Sequence, residues 1–222
     1  MLTKTEKQFT ILFMLLLTAE LISGSVESLS TWHYFTKPSL LTALIIYFYV
    51  QSKELTSKTK VMTLAALVFS LMGDVLLMFV DQSPNFFMFG LASFFLAHVF
   101  YIVIFLKRRN TKTNSAGLIT ILVVYAIGLF YLLRNSLGDL LIPVIFYIII
   151  ILIMVITAFL RQEKVSKISF ILVFLGAILF VISDSILALN KFYMPLRFSS
   201  ISIMLTYALA QYFIVLGLLK QR

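Results

Sequence analysis

The chain has 222 residues, of which 61% are hydrophobic and 12% are charged, with a formal net charge of +9. A soluble domain carries roughly 25% charged residues, so this composition is typical of an integral membrane protein with little chain outside the bilayer. The sequence has no cysteine, which excludes disulfides, thiolate metal sites and a cysteine nucleophile. Nucleic-acid binding is not indicated, because the basic residues fall in short loops between apolar segments.

Eight apolar segments follow one another, each close to the length of about 20 residues that a membrane-spanning helix needs. We therefore predict an all-α fold, a polytopic bundle of eight transmembrane helices that forms a single integral membrane domain over residues 1–222. The predicted helices cover residues 8–25, 34–50, 61–80, 86–106, 116–133, 139–160, 168–189 and 198–219.

The first two segments contain sequence patterns that bear on processing and on where a helix begins. Lysines before an apolar run and small residues after it resemble a signal peptide. Glu20 interrupts that run before any cleavage site, so we expect a retained helix. In the second segment, Lys37 and Pro38 are expected at the start of the helix, where a proline loses no hydrogen bond.

Lysine and arginine alternate between the two sides of this arrangement. Of the eighteen basic residues, fourteen fall on one side, Arg222 among them, and only Lys37, Arg134, Lys191 and Arg197 fall on the other. By the positive-inside rule, both termini are predicted to be cytoplasmic.

Two aspartates lie inside apolar segments in similar settings, Asp74 in the third segment and Asp184 in the seventh. A carboxylate in hydrocarbon costs several kcal/mol unless it is paired, solvated or protonated. A duplicated buried carboxylate therefore indicates a functional site. The alternative is structural, with each aspartate bonded to a neighbouring hydroxyl such as Ser70, Ser183 or Tyr207.

The helices that follow these aspartates share a second pattern, in residues 95–98 and 208–211. His98 follows Asp74 by 24 positions and Gln211 follows Asp184 by 27. This spacing predicts a parallel repeat of four helices, residues 1–110 and 111–222, as some transporters have. A pseudo-two-fold axis would bring Asp74 and Asp184 to a common cavity in the outer half of the membrane.

Two neighbouring buried carboxylates suit general acid–base catalysis, because their mutual repulsion keeps one protonated while the other is ionised. Glycosidases use such pairs on acetals. A vinyl ether poses a related problem, since protonation of its β-carbon creates an oxocarbenium ion that water attacks. No HExxH, G-x-S-x-G or glycine-rich phosphate loop occurs. We expect no cofactor and no metal; a site of one histidine and two aspartates is a weaker alternative.

Several short motifs, in their order and spacing, resemble the YhhN family of membrane proteins. This is the lysoplasmalogenase family, which includes the animal TMEM86 proteins, and the resemblance extends from the second to the eighth helix. The motifs are Thr36-Lys37-Pro38, residues 70–74, residues 97–101, residues 183–185, residues 189–192, Thr206-Tyr207 and Ala210-Gln211.

The resemblance implies a membrane enzyme that hydrolyses the vinyl ether of a lysoplasmalogen to a fatty aldehyde and a glycerophospho-alcohol. It implies Asp74 and Asp184 as the catalytic acid and base, and gives no role to Glu20. The residues implied to bind substrate are Lys37, His98, Tyr101, Asn190, Lys191, Tyr207 and Gln211. Of these, Lys37 and Lys191 would pair with the substrate phosphate.

The alternative function is a proton-coupled transporter of a small molecule or lipid, or a lipid translocator, for which parallel repeats and buried carboxylates are also typical. The expected partners are a lysophospholipid substrate and membrane lipid, with no nucleic acid; monomer and homodimer both stay open. The composition, rich in isoleucine, phenylalanine and lysine, indicates a bacterial inner membrane.

Overall fold

The structure is a computed structural model that describes residues 3–221. Arg222, one of the predicted cytoplasmic charges, lies outside these residues. Within them the regular elements are helices, with no strand, and short 3₁₀ turns join some of them. The eight α-helices are α1 (Lys4–Ser23), α2 (Ser30–Gln51), α3 (Ser57–Leu77), α4 (Pro84–Leu106), α5 (Ala116–Leu133), α6 (Leu141–Phe159), α7 (Lys167–Phe192) and α8 (Ser199–Leu219).

The eight helices coincide with the eight predicted segments, which confirms the all-α prediction. Their ends differ by a few residues where polar residues cap a helix. Helix α1 begins at Lys4 because Thr3 and Glu6 form a capping box. The Glu6 carboxylate accepts the Thr3 N–H at 2.7 Å, and the Thr3 hydroxyl accepts the Glu6 N–H at 3.1 Å.

Six helices, α3 to α8, are individually long and apolar enough to cross a membrane. Helices α1 and α2 meet that criterion only as a pair, and they are bent by 119° where they meet. The chain is therefore a multi-pass membrane protein. A separate crossing by each of α1 and α2 stays a prediction.

The prediction that Lys37 and Pro38 start the second helix is wrong. Helix α2 begins at Ser30 and Pro38 lies inside it, where the proline has no N–H to donate to the Tyr34 carbonyl. The additional turns bring His33 to 3.0 Å from the Glu20 carboxylate of α1, measured from Nδ1 to Oε1. This part of α2 becomes one wall of the site.

Helix α3 packs most closely against α4, and α7 against α8. Glycines permit this close approach, as small residues do between membrane helices. A Cβ at Gly73 would lie 2.6 Å from the Phe94 ring, and one at Gly176 would lie 2.8 Å from the Ala210 carbonyl oxygen. In contrast, α5 lies at the periphery, with most of its side chains facing outward.

Helix α1 closes the bundle against α8. The Phe13 and Tyr212 rings stack at 5.1 Å between centroids, and the Thr10 and Tyr212 hydroxyls are 2.5 Å apart. At the end of α8, the Lys220 ammonium lies 2.6 Å from the Glu6 carboxylate. These contacts hold the first helix as an integral part of the bundle and fix the position of Glu20 near its other end.

Candidate active site

A partly open cavity of about 320 Å³ lies at one end of the bundle, between α1, α2, α3, α4, α7 and α8. We call it the polar cavity. It lies at the end that the charge pattern predicts to be external. Both aspartates line it, together with other polar side chains: Glu20, His33, Lys37, Asn190, Lys191 and Tyr207.

Asp74 is almost completely buried, with 3% of its surface exposed. It accepts a hydrogen bond from the Tyr207 hydroxyl of α8 at 2.7 Å. Behind Tyr207, the Gln211 amide donates to the Tyr207 oxygen at 3.5 Å, and the Tyr101 hydroxyl donates to the Gln211 Oε1 at 2.7 Å. Tyr207 alone donates to Asp74, and Gln211 and Tyr101 hold Tyr207 in place behind it.

Asp184 is half-buried on α7 and accepts a hydrogen bond from the Tyr147 hydroxyl of α6 at 2.6 Å. The serines on either side of it bond elsewhere. Ser183 donates to the Ile203 carbonyl at 3.0 Å, and the Ser185 hydroxyl bonds to the Val181 carbonyl. A tyrosine of another helix, rather than an adjacent serine, therefore orients the carboxylate.

Glu20 is a third carboxylate in the polar cavity, with 2% of its surface exposed. The Thr36 hydroxyl donates to it at 2.6 Å, and His33 Nδ1 lies 3.0 Å from its other oxygen. Sequence reasoning gave this residue no role. The signal was nevertheless present, because Glu20 is a carboxylate in an apolar helix, as Asp74 and Asp184 are.

Cationic and amide side chains surround the mouth of the polar cavity. Lys37 is half-buried, whereas Lys191 is exposed and lies 5.5 Å from the centroid of the Phe87 ring. The Asn190 side chain accepts the Leu196 N–H at 2.9 Å, which fixes the loop between α7 and α8. Two lysines at the mouth of a cavity suit an anionic group such as a phosphate.

Three of the predicted substrate-binding residues, His98, Tyr101 and Gln211, are buried and do not line the polar cavity. Tyr101 and Gln211 instead support Tyr207. The His98 ring packs edge-on against Tyr147 at 5.5 Å between centroids. The structure thus brings Lys37, Asn190, Lys191 and Tyr207 to the cavity with both aspartates, and places the other three residues behind its wall.

Tyr147, the partner of Asp184, was missed by the sequence analysis. Its signal is weak: a single tyrosine in the aliphatic helix α6.

The alternative of a metal site with one histidine and two aspartates is not supported, because His98 lies outside the polar cavity. Among residues 3–221, no group of three or more histidine, aspartate or glutamate side chains could hold a metal ion.

Comparisons with known proteins agree with one another. The sequence profile of the YhhN family matches residues 32–218, a range that contains every lining residue discussed above except Glu20. Lysoplasmalogenase TMEM86A of Bos taurus is 33% identical to this chain over 172 residues, which is 76% of this chain and 69% of that protein. No solved structure matches significantly.

Proposed function

The chain belongs to the YhhN family, and we propose that it is a membrane hydrolase that cleaves the vinyl ether bond of a lysoplasmalogen. The observation that carries the proposal is that Asp74 and Asp184 line one cavity, each with a tyrosine hydrogen bond from another helix. The name of the bovine relative supports the same reaction.

In the first step, one aspartate acts as a general acid. It donates its proton to the β-carbon of the vinyl ether, whose π electrons form the new C–H bond. The α-carbon and the ether oxygen then share the positive charge of an oxocarbenium ion. The second aspartate, ionised and in the same cavity, stabilises this charge as it develops.

In the second step, the ionised aspartate acts as a general base. It takes a proton from a water molecule as the water oxygen bonds to the α-carbon, which gives a hemiacetal. That aspartate then returns the proton to the ether oxygen while the C–O bond breaks. The first aspartate takes the hydroxyl proton of the hemiacetal. The products are a fatty aldehyde and a free alcohol, and both carboxyl groups end as they began.

The remaining lining residues suit a phosphate-bearing substrate. Lys37 and Lys191 stand at the mouth and would attract the phosphate as point charges. Tyr207 and Tyr147 would keep the two carboxylates in reacting positions, so that little reorientation is needed during the reaction.

The test is mass spectrometry of purified protein incubated with a 1-alkenyl lysophosphoethanolamine. We expect fatty aldehyde from the wild type, and at least about a 100-fold slower release from Asp74→Asn and Asp184→Asn, since general acid–base catalysis contributes about 10²–10⁴-fold. Asp139→Asn is the matched control, because Asp139 is exposed in the loop before α6. Full activity in either site variant would overturn the assignment of the pair.

A proton-coupled transporter is the alternative, and the predicted parallel repeat is the feature that favours it. It predicts that the folded wild type releases no aldehyde. It also predicts that vesicles containing the protein accumulate substrate only under a proton gradient. Aldehyde release without a gradient argues against this alternative.

A further inference from the structure

A second pocket borders the polar cavity at Asp184. It lies between α4, α5, α6 and α7, and its wall is almost wholly aliphatic and aromatic; we call it the apolar pocket. The two spaces share part of their walls, namely Leu77, Phe87, Phe94, Asp184 and Leu187. Asp184 thus stands at the boundary between a polar and an apolar compartment.

We propose that the apolar pocket binds the hydrocarbon chain of the substrate while the polar cavity binds its headgroup. The substrate is then an amphiphile with one chain, whose reacting bond lies beside Asp184. This inference rests on the proposed function and adds to it the position of the chain.

The polar groups in the wall of the apolar pocket are already paired. The Tyr147 hydroxyl donates to Asp184, and the hydroxyls of Tyr125 and Ser185 bond to each other. A hydrocarbon chain can therefore bind in the pocket without leaving a polar group of the wall unsatisfied. The polar cavity offers the opposite surface, with Lys37 and Lys191 at its mouth.

The pocket is elongated along the helices. On α6 its wall extends from Val144 to Leu152, about 12 Å at about 1.5 Å per residue. On α7 it reaches from Val181, before Asp184, to Phe192 near the end of that helix. A chain bound here would lie roughly parallel to the helices, as the acyl chains of the surrounding lipid do.

Helix α5 forms the outer wall of the apolar pocket through Tyr125, Leu129 and Leu133. It is the least buried of the six candidate spans, with 11% of its most apolar 18-residue stretch buried. The Tyr125–Ser185 hydrogen bond ties it to α7. A wall with so few buried contacts can move aside at low cost, so a chain could enter from the lipid between α5 and its neighbours.

The first test measures turnover against chain length with a series of 1-alkenyl lysophosphoethanolamines. Ile148→Trp places an indole in the apolar pocket, whereas Ile149→Trp is the matched control because Ile149 is 49% exposed on the outer face of the same helix. We expect Ile148→Trp to lose at least about 10-fold in kcat/KM on long chains and to retain turnover on short ones. The control should keep the wild-type profile. An unchanged profile in folded Ile148→Trp would overturn the inference.

The second test does not depend on turnover. The probe is an alkyl lysophosphoethanolamine, which has no vinyl ether to cleave, with a photoreactive diazirine at the end of its chain. We expect crosslinks to residues of the apolar pocket such as Leu133 and Val144. Crosslinks confined to a separate surface pocket lined by Leu96 and Phe146 would overturn the proposal that the chain binds in the apolar pocket. Absence of aldehyde with every chain length, together with crosslinks in the pocket, would instead count against the proposed reaction alone.

Discussion

Each aspartate of the site receives its hydrogen bond from a tyrosine on another helix. This arrangement matters because a carboxylate on a single helix can turn about its own side-chain bonds, whereas a hydrogen bond from a second helix fixes it relative to the bundle. The Tyr207 ring is itself held edge-on by Phe94 at 5.8 Å and by Phe180 at 5.5 Å between centroids. Removing the hydroxyl should therefore leave the ring in place.

We predict that Tyr207→Phe lowers kcat by about 10-fold and also lowers the melting temperature, while the protein still folds. A lost hydrogen bond to a charged group costs about 1.5–3 kcal/mol, and here the loss falls on a reacting group. The measurement is aldehyde release at saturating substrate, beside thermal unfolding in detergent. Tyr193→Phe, at an exposed tyrosine after α7, is the control. A wild-type kcat in Tyr207→Phe would argue that Asp74 needs no orientation by α8.

Lys37 should act on binding rather than on chemistry. We predict that Lys37→Met raises KM several-fold with a smaller change in kcat, because a contact to a non-reacting phosphate is uniform in ground state and transition state. Lys37→Arg should recover part of the binding. Arg134→Met is the control, since Arg134 shares the predicted outer side but does not line the polar cavity. A fall in kcat at unchanged KM would contradict this role.

At the level of residues, the sequence identifies site residues whose burial is energetically costly. A charge in an apolar segment is conspicuous, which is why Asp74 and Asp184 were found, whereas the role predicted for Lys37 came from the family resemblance. Tyr147 was not, because a tyrosine is ordinary in a membrane helix and only the packing of α6 on α7 brings its hydroxyl to Asp184. His33 was missed because its place depends on where α2 begins.

In the parallel repeat that we propose, the matched helices approach each other at matched positions. With Asp74 matched to Asp184 and His98 to Gln211, Gly73 corresponds to Ser183, and Gly90 to Ile203. A Cβ at Gly90 would lie 3.6 Å from the Gly73 carbonyl, and the Ser183 hydroxyl reaches the Ile203 carbonyl at 3.0 Å. The agreement supports our proposal of a parallel repeat.

The proposed repeat does not extend to the hydrogen bonds of the two aspartates. Tyr207 donates to Asp74, but its counterpart by position is Phe94, which has no hydroxyl. Asp184 takes its hydrogen bond from Tyr147 of α6 instead. The two carboxylates therefore stand in different surroundings, one buried among α3 and α8 and one at the edge of the apolar pocket. Two different surroundings are what an acid and a base in one reaction need.

We predict that the same substitution has different effects on stability in two helices. Gly176→Ala should destabilise the protein by about 1–3 kcal/mol, as overpacking does, because the new Cβ would lie 2.8 Å from the Ala210 carbonyl oxygen and backbone cannot yield there. Gly128→Ala in α5 should be neutral or stabilise by up to about 1 kcal/mol, since nothing lies within 4 Å. Thermal unfolding in detergent measures both. Equal effects would contradict the close α7–α8 packing.

Hydrophobic length predicted the helices well because a membrane helix must be apolar along its whole length. It predicted their ends less well, because capping decides those. Thr3 extends α1, and Pro38 lies within α2 rather than at its start. A proline that is favourable at a helix start is also tolerated inside a packed membrane helix, so its position alone does not identify the end.

For the whole molecule, the site lies at one end of the bundle while most basic residues lie at the other. The loops at the site end join α1 to α2, α3 to α4, α5 to α6 and α7 to α8. We propose that this end faces outward in a bacterial inner membrane with both termini cytoplasmic. A cavity in that position would receive a lysolipid from the outer leaflet.

The topology can be tested by labelling single cysteines, since the native chain has none. If α1 and α2 each cross, an impermeant maleimide added to intact cells should label Ser25→Cys and Asn135→Cys, and should label Lys4→Cys and Lys112→Cys only after the membrane is opened. Lys112 and Asn135 flank α5, which is a candidate span on its own, so they calibrate the two sides. If α1 and α2 formed a bent pair that does not reach the outer surface, Ser25→Cys would stay unlabelled in intact cells. The eight-span arrangement would then be wrong, while α3 to α8 would remain six candidate spans.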